Sequence, residues 1–188
     1  MNVAVFGGTF DPPHVGHVLA ARHVSETPGI DRVLVIPVFS HAFGKASTPY
    51  TDRLAMTRLA MRELPRVEVS AIEETLPAPS RTLHTLCALA DRHPDWTFRL
   101  VVGSDVLAES DAWLAFDEVV RRAPLLVLGR KGAPHPGAPE AFLPEVSSTE
   151  LRARLRARDG KAAKDPWLLE RVPEAVLEYV DAHEIYRA

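Results

Sequence analysis

The segment 7–17 contains the residues of this chain that are best suited to binding phosphate. It reads Gly-Gly-Thr-Phe-Asp-Pro-Pro-His-Val-Gly-His and directly follows a short apolar run that predicts a buried strand. Gly7 and Gly8 allow the backbone to approach a bulky anion, with amide N–H groups free to point at phosphate oxygens. Since His14 and His17 are three residues apart, we expect both imidazoles on one face of the following helix, near its positive end. The segment therefore predicts a nucleotide phosphate site.

Asp11 is predicted to cap that helix, because an aspartate side chain can accept hydrogen bonds from the free N–H groups of a first turn. Pro12 and Pro13 are tolerated in this turn, where their missing N–H groups would have had no partner. Two other interpretations stay open. A Gly-Gly turn is ordinary between a strand and a helix, and two histidines could bind a metal. Zinc-binding helices, however, usually space their ligands four apart with a glutamate between them, and no glutamate lies between these histidines.

The composition predicts a single soluble domain spanning residues 1–188. The chain has 46% hydrophobic and 25% charged residues, which is ordinary for a globular protein of this length. A formal net charge of −3 provides no basic field for sequence-independent binding to nucleic acid, so we expect no nucleic-acid partner. No apolar run approaches the ~18 residues that would span a bilayer, and no charged leader precedes the first strand. We therefore expect no membrane partner and a cytoplasmic location.

Apolar runs alternate with amphipathic stretches along the whole chain. This rhythm predicts an α/β fold with a doubly wound parallel sheet of five to six strands, followed by C-terminal helices. The predicted strands are 2–6, 32–37, 67–70, 97–102 and 124–128. The predicted helices are 14–26, 50–63, 81–93 and 113–122, with loops at 129–144 and 158–166 and a last helix opening at Pro173. Ligands of such sheets bind beyond the carboxyl ends of the strands, where segment 7–17 would lie.

A second cluster of hydroxyl and basic residues begins at Ser147. The sequence Ser-Ser-Thr-Glu-Leu-Arg opens a helix, and one interpretation is a capping box in which Ser147 pairs with Glu150. That interpretation leaves Ser148, Thr149 and Arg152 unexplained. A helix N-terminus with exposed hydroxyls and a guanidinium one turn in predicts a second anion site instead.

Both segments resemble signature regions of the nucleotidyltransferase superfamily. Segment 7–17 is similar to its [GT]-x-x-x-H-x-G-H region, and 147–152 is similar to its I-S-S-T-x-[IL]-R region. The pattern of the whole chain resembles bacterial nicotinate-nucleotide adenylyltransferases, whose further landmarks are matched by Gly103-Ser104-Asp105, Trp113, Arg130-Lys131-Gly132 and Tyr179-Val180. The resemblance implies a Rossmann-like fold of nucleotidyltransferase type.

The resemblance also implies a reaction. A nicotinate or nicotinamide mononucleotide would attack the α-phosphorus of ATP, releasing pyrophosphate and forming a dinucleotide in NAD biosynthesis. Such a transfer needs positioning and charge neutralisation more than a protein nucleophile. Mg²⁺ would be bound through the ATP phosphates, with no metal site made by the protein. The implied catalytic residues are His14, His17, Lys45 and Arg152, and the implied ATP-binding residues are Gly7, Gly8, Thr9, Phe10, Gly16, Gly103, Asp105, Arg130, Ser148 and Thr149.

The implied acceptor-binding residues are less regular. They are Lys45, Arg81, Thr82, Thr85 and Trp113, of which Trp113 would stack on the pyridine ring or, alternatively, belong to the core. The family pattern Pro-Pro-His-Lys is replaced by Ser-His-Ala-Phe-Gly-Lys at 40–45, and its Tyr and Asp near residue 82 are replaced by Arg81 and His84. The preference between nicotinate and nicotinamide therefore stays open, as does the oligomeric state. A sister transferase acting on phosphopantetheine and a non-catalytic nucleotide sensor remain as alternatives.

Overall fold

A five-stranded parallel sheet forms the centre of the molecule. The computed structural model describes residues 1–41, 44, 47–107, 112–138, 141 and 143–187. The strands are β1 (Asn2–Gly8), β2 (Arg32–Pro37), β3 (Val67–Val69), β4 (Thr97–Gly103) and β5 (Leu125–Leu128). Their order is β3-β2-β1-β4-β5, and every neighbouring pair is parallel. The predicted doubly wound sheet is confirmed, with five strands in the described part of the chain.

Seven α-helices surround or follow this sheet in the described residues. They are α1 (Val15–Glu26), α2 (Tyr50–Met61), α3 (Thr82–Arg92), α4 (Phe116–Arg122), α5 (Ser148–Ala157), α6 (Pro166–Leu169) and α7 (Glu174–Ala182). Short 3₁₀ helices occupy Ile72–Thr75 and Ala162–Lys164. No helix in these described ranges has the length and apolar character to cross a membrane.

The two faces of the sheet are covered by different helices. Val3 and Val5 of β1 pack with Leu86 and Leu89 of α3 on one face, whereas Ala4 packs with residues of α1 on the other. This alternation arises because successive side chains of a strand point to opposite faces. Both faces are buried, which explains why the central strands read as continuous apolar runs.

A third cluster joins the C-terminal helices to α2. Its fully buried members include Leu151 and Leu155 of α5, and Leu177 of α7. Full burial of a leucine side chain stabilises a fold by about 1.5–3 kcal/mol, so this cluster anchors the last third of the chain firmly. It thereby holds the N-terminus of α5 against the rest of the molecule.

The sheet order places a topological switch point between β1 and β4. From β1 the chain moves outward to β2 and β3, and then returns to the other side of β1 as β4 and β5. A crevice opens where such a chain changes direction, beyond the carboxyl ends of the two strands. Gly7 and Gly8 end β1 there, and Gly103 ends β4.

Three local predictions are wrong. Asp11 does not cap α1, because the helix starts at Val15 with His14 as its N-cap. Each proline disfavours the α conformation in the residue before it, so Pro12 and Pro13 lie in the loop ahead of the helix. The helix predicted at 113–122 begins only at Phe116, since Ala115 takes a left-handed conformation with φ 49°.

The capping box, the alternative interpretation of the start of α5, is absent. Ser147 is the N-cap residue by its backbone, but its side chain makes no capping hydrogen bond. The hydroxyl of Ser148 instead donates to the Pro12 carbonyl oxygen at 3.4 Å. The start of α5 is therefore fixed by contacts with the loop before α1 rather than by its own side chains.

Candidate active site

A cavity of about 560 Å³ lies at the switch point between β1 and β4. Its floor is made by strand residues such as Val5 and Leu100, and Gly7, Gly8 and Thr9 form part of its wall. Four of the predicted acceptor residues also line it, namely Arg81, Thr82, Thr85 and Trp113. Lys45, the fifth, lies outside the described residues. The volume is in the range of small-molecule sites, so the cavity has room for a nucleotide-sized ligand.

His14 and His17 form a stacked pair at the start of α1, shortly after the cavity-lining residues Gly7, Gly8 and Thr9 in the chain. Their ring centroids are 3.8 Å apart with an angle of 28° between the planes. His14 is only 3% exposed, and its backbone N–H donates to Nδ1 of His17 at 3.2 Å. Because Nδ1 accepts this bond, the proton of a neutral His17 is on Nε2. That N–H is the group through which His17 can donate to a ligand.

Both imidazoles are held in their neutral form. Burial, reinforced by the charge of Arg130, lowers the pKa of His14 to about 4. Burial also lowers the pKa of His17 well below its usual value, and the nearby charges of His14 and Arg130 lower it further. Nδ1 of His14 is fully buried, and the His14 side chain faces the backbone N–H of His17 in a capping-box arrangement, although no hydrogen bond of good geometry forms there. The pair therefore offers uncharged hydrogen-bonding groups in the free protein.

Glycines next to the histidine pair make room for rings. Phe10 has a left-handed backbone with φ 51°, and its ring packs edge-on against His17 with centroids 4.9 Å apart. A Cβ on Gly8 would lie 2.9 Å from Cζ of Phe10, and one on Gly16 would lie 3.1 Å from the His14 ring. A Cβ on Gly7, by contrast, would meet nothing within 4 Å. Gly7 thus fits the predicted close approach of a ligand, whereas Gly8 and Gly16 are needed for packing.

The ends of β4 and β5 bring a carboxylate and a guanidinium to the same crevice. Ser104 is buried, its N–H donates to the Leu128 carbonyl at 2.9 Å, and its Oγ accepts from the backbone N–H of Arg130 at 2.9 Å. The Arg130 Nε lies 3.9 Å from Oδ1 of Asp105, and a side chain on Gly103 would collide with the Asp105 carboxylate. The structure therefore brings together the three predicted residues Gly103, Asp105 and Arg130, with Arg130 near the histidine pair.

The N-terminus of α5 packs against the loop that precedes α1. Arg152 Nη1 donates to the main-chain oxygen of Asp11 at 2.6 Å, and Nη2 donates to Oγ1 of Thr149 at 3.2 Å. Together with the Ser148 contact to Pro12, this joins the two sequence motifs, although about 130 residues separate them. Two helix N-termini, those of α1 and α5, thus converge on one side of the crevice, where their dipoles favour an anion.

Glu73, which lines the cavity, joins the loop after β2 to helix α3. Glu73 is 7% exposed, and its carboxylate accepts hydrogen bonds from the Phe39 N–H and the Thr85 hydroxyl, each at 2.9 Å. The Ser80 N–H also donates to the Ser40 carbonyl at 2.9 Å. Trp113 is half-buried; it packs against the core and also lines the cavity.

The sequence assigned no role to Glu73, Ser104 or Arg53, although Ser104 belongs to the landmark Gly103-Ser104-Asp105. Arg53 is 2% exposed, and it donates through Nε to the Thr48 carbonyl and through Nη1 to the Thr9 carbonyl, both at 2.9 Å. Its burial lowers the pKa of its guanidinium. One signal was available for Arg53: it shares a helical face with Thr57 and other buried residues of α2, so a charged residue occupied a core position.

No group of three or more His, Cys, Asp or Glu residues is arranged to hold a metal ion within the part of the chain that the structure describes. The side chains placed around the starts of α1 and α5 include the imidazoles of His14 and His17 and the guanidinium of Arg152, and the carboxylate of Asp11 is engaged by Tyr186 and Thr48. The imidazoles and the guanidinium suit phosphate oxygens, whereas Mg²⁺ prefers carboxylates, waters and phosphate oxygens.

Comparison with known proteins shows the family to which the chain belongs. The sequence model of the cytidylyltransferase-like family matches residues 5–154. A probable nicotinate-nucleotide adenylyltransferase from Anaeromyxobacter dehalogenans (strain 2CP-C) is 45% identical over 191 residues, which cover 99% of this chain and 97% of the relative. The chain belongs to the nicotinate-nucleotide adenylyltransferase family. A family member from Thermus thermophilus is 35% identical over 193 residues, with both chains fully covered.

The fold of the family is also seen in a solved structure. The nicotinic acid mononucleotide adenylyltransferase of Plasmodium falciparum, in complex with NaAD, superimposes with a TM-score of 0.81, covering 98% of this chain and 97% of that one. Sequence identity is only 17%, so this likeness concerns the fold. The family relatives align beyond residue 154, where the family model stops, and the C-terminal helices α6 and α7 are therefore part of what they share with this chain.

Proposed function

We propose that this chain is an adenylyltransferase that joins ATP and nicotinate mononucleotide, or its nicotinamide counterpart, to form a pyridine dinucleotide and pyrophosphate in NAD biosynthesis. The observation that carries the proposal is the packing of the α5 N-terminus on the loop before α1, a loop that continues from the cavity-lining residues Gly7, Gly8 and Thr9 at the switch point. The family relatives carry a matching name. Neither substrate needs a membrane or a nucleic acid, and we place the reaction in the cytoplasm.

The chemistry is an in-line displacement at the α-phosphorus of ATP. An oxygen of the acceptor phosphate forms the new P–O bond, and the bond to the β-phosphate breaks, so that pyrophosphate leaves with the electron pair. The protein need not supply a nucleophile, because both reactants are anions that must be aligned and neutralised. The arrangement of helix termini on one side and an acceptor cavity on the other suits this geometry.

His17 is the residue that we assign to the reacting α-phosphate. Its Nε2–H is available, because its Nδ1 accepts the backbone bond from His14. As charge builds on the oxygens of the α-phosphate, a donor fixed in this way needs no reorganisation. His14, which stacks on His17, would bind the phosphate chain next to it.

We assign the binding of the departing pyrophosphate to the start of α5. Ser148, Thr149 and Arg152 would bind the β- and γ-phosphates, with Arg130 on the other side of the histidine pair. Arg152 keeps one donor on the Asp11 main-chain oxygen, which holds the guanidinium in place before ATP binds. Mg²⁺ would supply positive charge to the phosphates, and ATP and water rather than protein side chains would hold it.

The acceptor would occupy the cavity between Trp113 and the loop that begins at Arg81. Trp113 would stack on the pyridine ring and Thr82 would bind its substituent, while Thr85, whose hydroxyl donates to Glu73, would form part of the wall around it. Arg81 would add a cation that favours the carboxylate of nicotinate over an uncharged amide. Lys45 is proposed to bind the acceptor phosphate. Gly103 and Asp105 would flank the adenosine, with Asp105 accepting from a ribose hydroxyl.

In the presence of Mg²⁺, the purified protein should convert ATP and a pyridine mononucleotide to dinucleotide and pyrophosphate. The dinucleotide formed is measured by chromatography. The His17→Ala variant should lose about 10²- to 10³-fold in kcat, as expected for removal of one preorganised donor, while ATP affinity falls only modestly. His93→Ala is the matched control, because His93 stacks on Trp96 at the far end of α3. Absence of turnover with every mononucleotide would refute the proposal, and equal loss of turnover and affinity in His17→Ala would favour a binding module.

The acceptor preference is measured by comparing kcat/KM for nicotinate and nicotinamide mononucleotides. If Arg81 reads the carboxylate, nicotinate mononucleotide should be preferred by about tenfold or more, and Arg81→Ala should reduce that ratio. A ratio near one in the unmodified protein would contradict the role of Arg81.

A further inference from the structure

The C-terminal turn of the chain reaches the loop that precedes the histidine pair. The hydroxyl of Tyr186 donates to Oδ1 of Asp11 at 2.5 Å, across a sequence separation of 175 residues. Oδ2 of the same carboxylate accepts from the Thr48 N–H at 3.1 Å. Asp11 is 3% exposed and Tyr186 is 8% exposed, so this is a buried, charge-assisted contact. It takes up the carboxylate that the sequence predicted to cap α1.

The backbone around Tyr186 is shaped for this contact. Glu184 and Tyr186 both have left-handed conformations, with φ 53° and 62°. Such conformations are unfavourable for residues other than glycine and persist where surrounding contacts compensate for them. Burial, followed by the charge of Asp11, raises the pKa of Tyr186, so its hydroxyl stays protonated and remains a donor throughout the physiological range.

Asp11 is connected to the proposed ATP site through its main chain. Its carbonyl oxygen accepts from Arg152 at 2.6 Å, while Arg53 holds the nearby Thr9 carbonyl at 2.9 Å. Three residues after Asp11 comes His14, the N-cap of α1. A shift of Asp11 would therefore move the anchor of Arg152 and the start of the histidine-bearing helix together.

We propose that Tyr186 is a positioning residue for the ATP site: by binding the Asp11 carboxylate, it fixes the carbonyl oxygen that orients Arg152. The C-terminal turn is then part of the nucleotide-binding unit and not only of the helical cluster behind it. This inference rests on the proposed function in taking Arg152 as a ligand of the departing phosphates. Tyr186 itself contacts no substrate and acts through Asp11.

The test compares Tyr186→Phe with Tyr179→Phe. Tyr179→Phe removes the same hydroxyl oxygen from the same C-terminal region. It is a control because the Tyr179 hydroxyl donates to Asp52 at 3.0 Å and not to Asp11. We expect Tyr186→Phe to lower kcat/KM for ATP about 10- to 100-fold, as for loss of a hydrogen bond to a charged group. The KM for the mononucleotide should stay within about twofold of the unmodified value, and Tyr179→Phe should match the unmodified enzyme.

A double-mutant cycle with Asp11→Asn tests the route of the effect. If Tyr186 acts through Asp11, the double variant is no worse than Asp11→Asn alone. The proposal would be overturned if the loss of kcat/KM in the double variant were the product of the losses in the two single variants. It would also be overturned if Tyr186→Phe kept a kcat/KM for ATP within about twofold of the unmodified enzyme. Equal losses toward both substrates together with a lowered Tm would also overturn it, because they would indicate a general structural role.

Direct binding of a non-hydrolysable ATP analogue, measured by calorimetry, separates this inference from the reaction. A protein that turns over no mononucleotide would refute the proposed function, yet weaker analogue binding in Tyr186→Phe than in Tyr179→Phe would still support the positioning role. Equal binding by the two variants would refute it. Asp11→Asn reports on the same contact in this assay if Tyr186→Phe does not fold.

Discussion

The buried histidine pair should make the free protein less stable as the pH falls from 7 to 5. His14 has a pKa of about 4 in the folded chain, whereas an unfolded histidine has a pKa near its usual 6.5. Because the folded pKa is the lower one, the unfolded state binds more protons between these values, and acidification favours unfolding. The stabilisation is fully present above about pH 6.5 and is lost progressively as the pH falls toward 4.

The size of the effect follows from the two pKa values. One unit of pH over which only the unfolded state binds the proton costs about 1.4 kcal/mol. Between pH 7 and pH 5, the unfolded histidine takes up its proton over roughly the last 1.5 units, which gives a loss of about 2 kcal/mol from His14. His17 adds to this loss in the same direction, because burial also lowers its pKa.

The assay is urea unfolding at pH 7 and pH 5 for the unmodified chain and for His14→Asn. Asparagine is uncharged and is a favourable N-cap residue, so it keeps the helix start while removing the titrating group. The loss of unfolding free energy between the two pH values should shrink by about 2 kcal/mol in this variant. His135→Gln, which alters an exposed histidine, is the control and should keep the full loss. An unchanged pH dependence in His14→Asn would refute the neutral, buried state of His14.

Two further predictions concern the two sides of the cavity. Glu73→Ala removes the acceptor that joins the Phe39 N–H to the Thr85 hydroxyl, so the KM for the mononucleotide should rise about tenfold while the KM for ATP changes little. Glu74→Ala changes an exposed neighbour and is the control. Equal effects of the two changes would contradict the role of Glu73. Gly8→Ala places a methyl group 2.9 Å from Phe10, which should cost about 1–3 kcal/mol of stability and lower kcat. In the double variant Gly8→Ala/Phe10→Leu, the smaller leucine side chain should restore part of the stability and part of kcat. If neither is restored, the methyl group on residue 8 clashes with a group other than Phe10.

The sheet was predictable because its strands are buried on both faces. Runs such as 32–37 are apolar almost throughout, and the structure has β2 at Arg32–Pro37. The predicted strand at 67–70 is one residue longer than β3, Val67–Val69. Strand positions depend on local composition, and local composition is what a single sequence displays.

The starts of the helices were less predictable, because they depend on contacts between distant residues. Asp11 has the right chemistry for a cap, but its carboxylate is engaged by Thr48 and Tyr186. Ala115 takes its left-handed conformation at a position where the sequence shows no glycine or asparagine. No pattern within a few residues of either site indicates these arrangements.

The same distinction applies to the site. Motif resemblance pointed to His14, His17 and Arg152, and the structure brings the two motifs together. It could not point to Glu73, whose partners Thr85 and Phe39 are 12 and 34 residues away in the sequence. Nor could it point to Tyr186, whose partner Asp11 is 175 residues away. Residues that contact a ligand keep recognisable spacing, whereas the residues that hold them in place are recognised only from the folded contacts.

The electrostatic design of the site divides its work between two kinds of group. The imidazoles of His14 and His17 are neutral in the free protein, so they cost little to bury and can donate hydrogen bonds from fixed positions. Arg152 carries permanent charge, but one of its donors is already bound to Asp11 and the guanidinium is thereby oriented. A triphosphate entering this site brings negative charge next to the two imidazoles, which favours their protonated forms. The histidine pair can therefore gain positive charge when the anion arrives, without the repulsion that two buried cations would impose on the empty site.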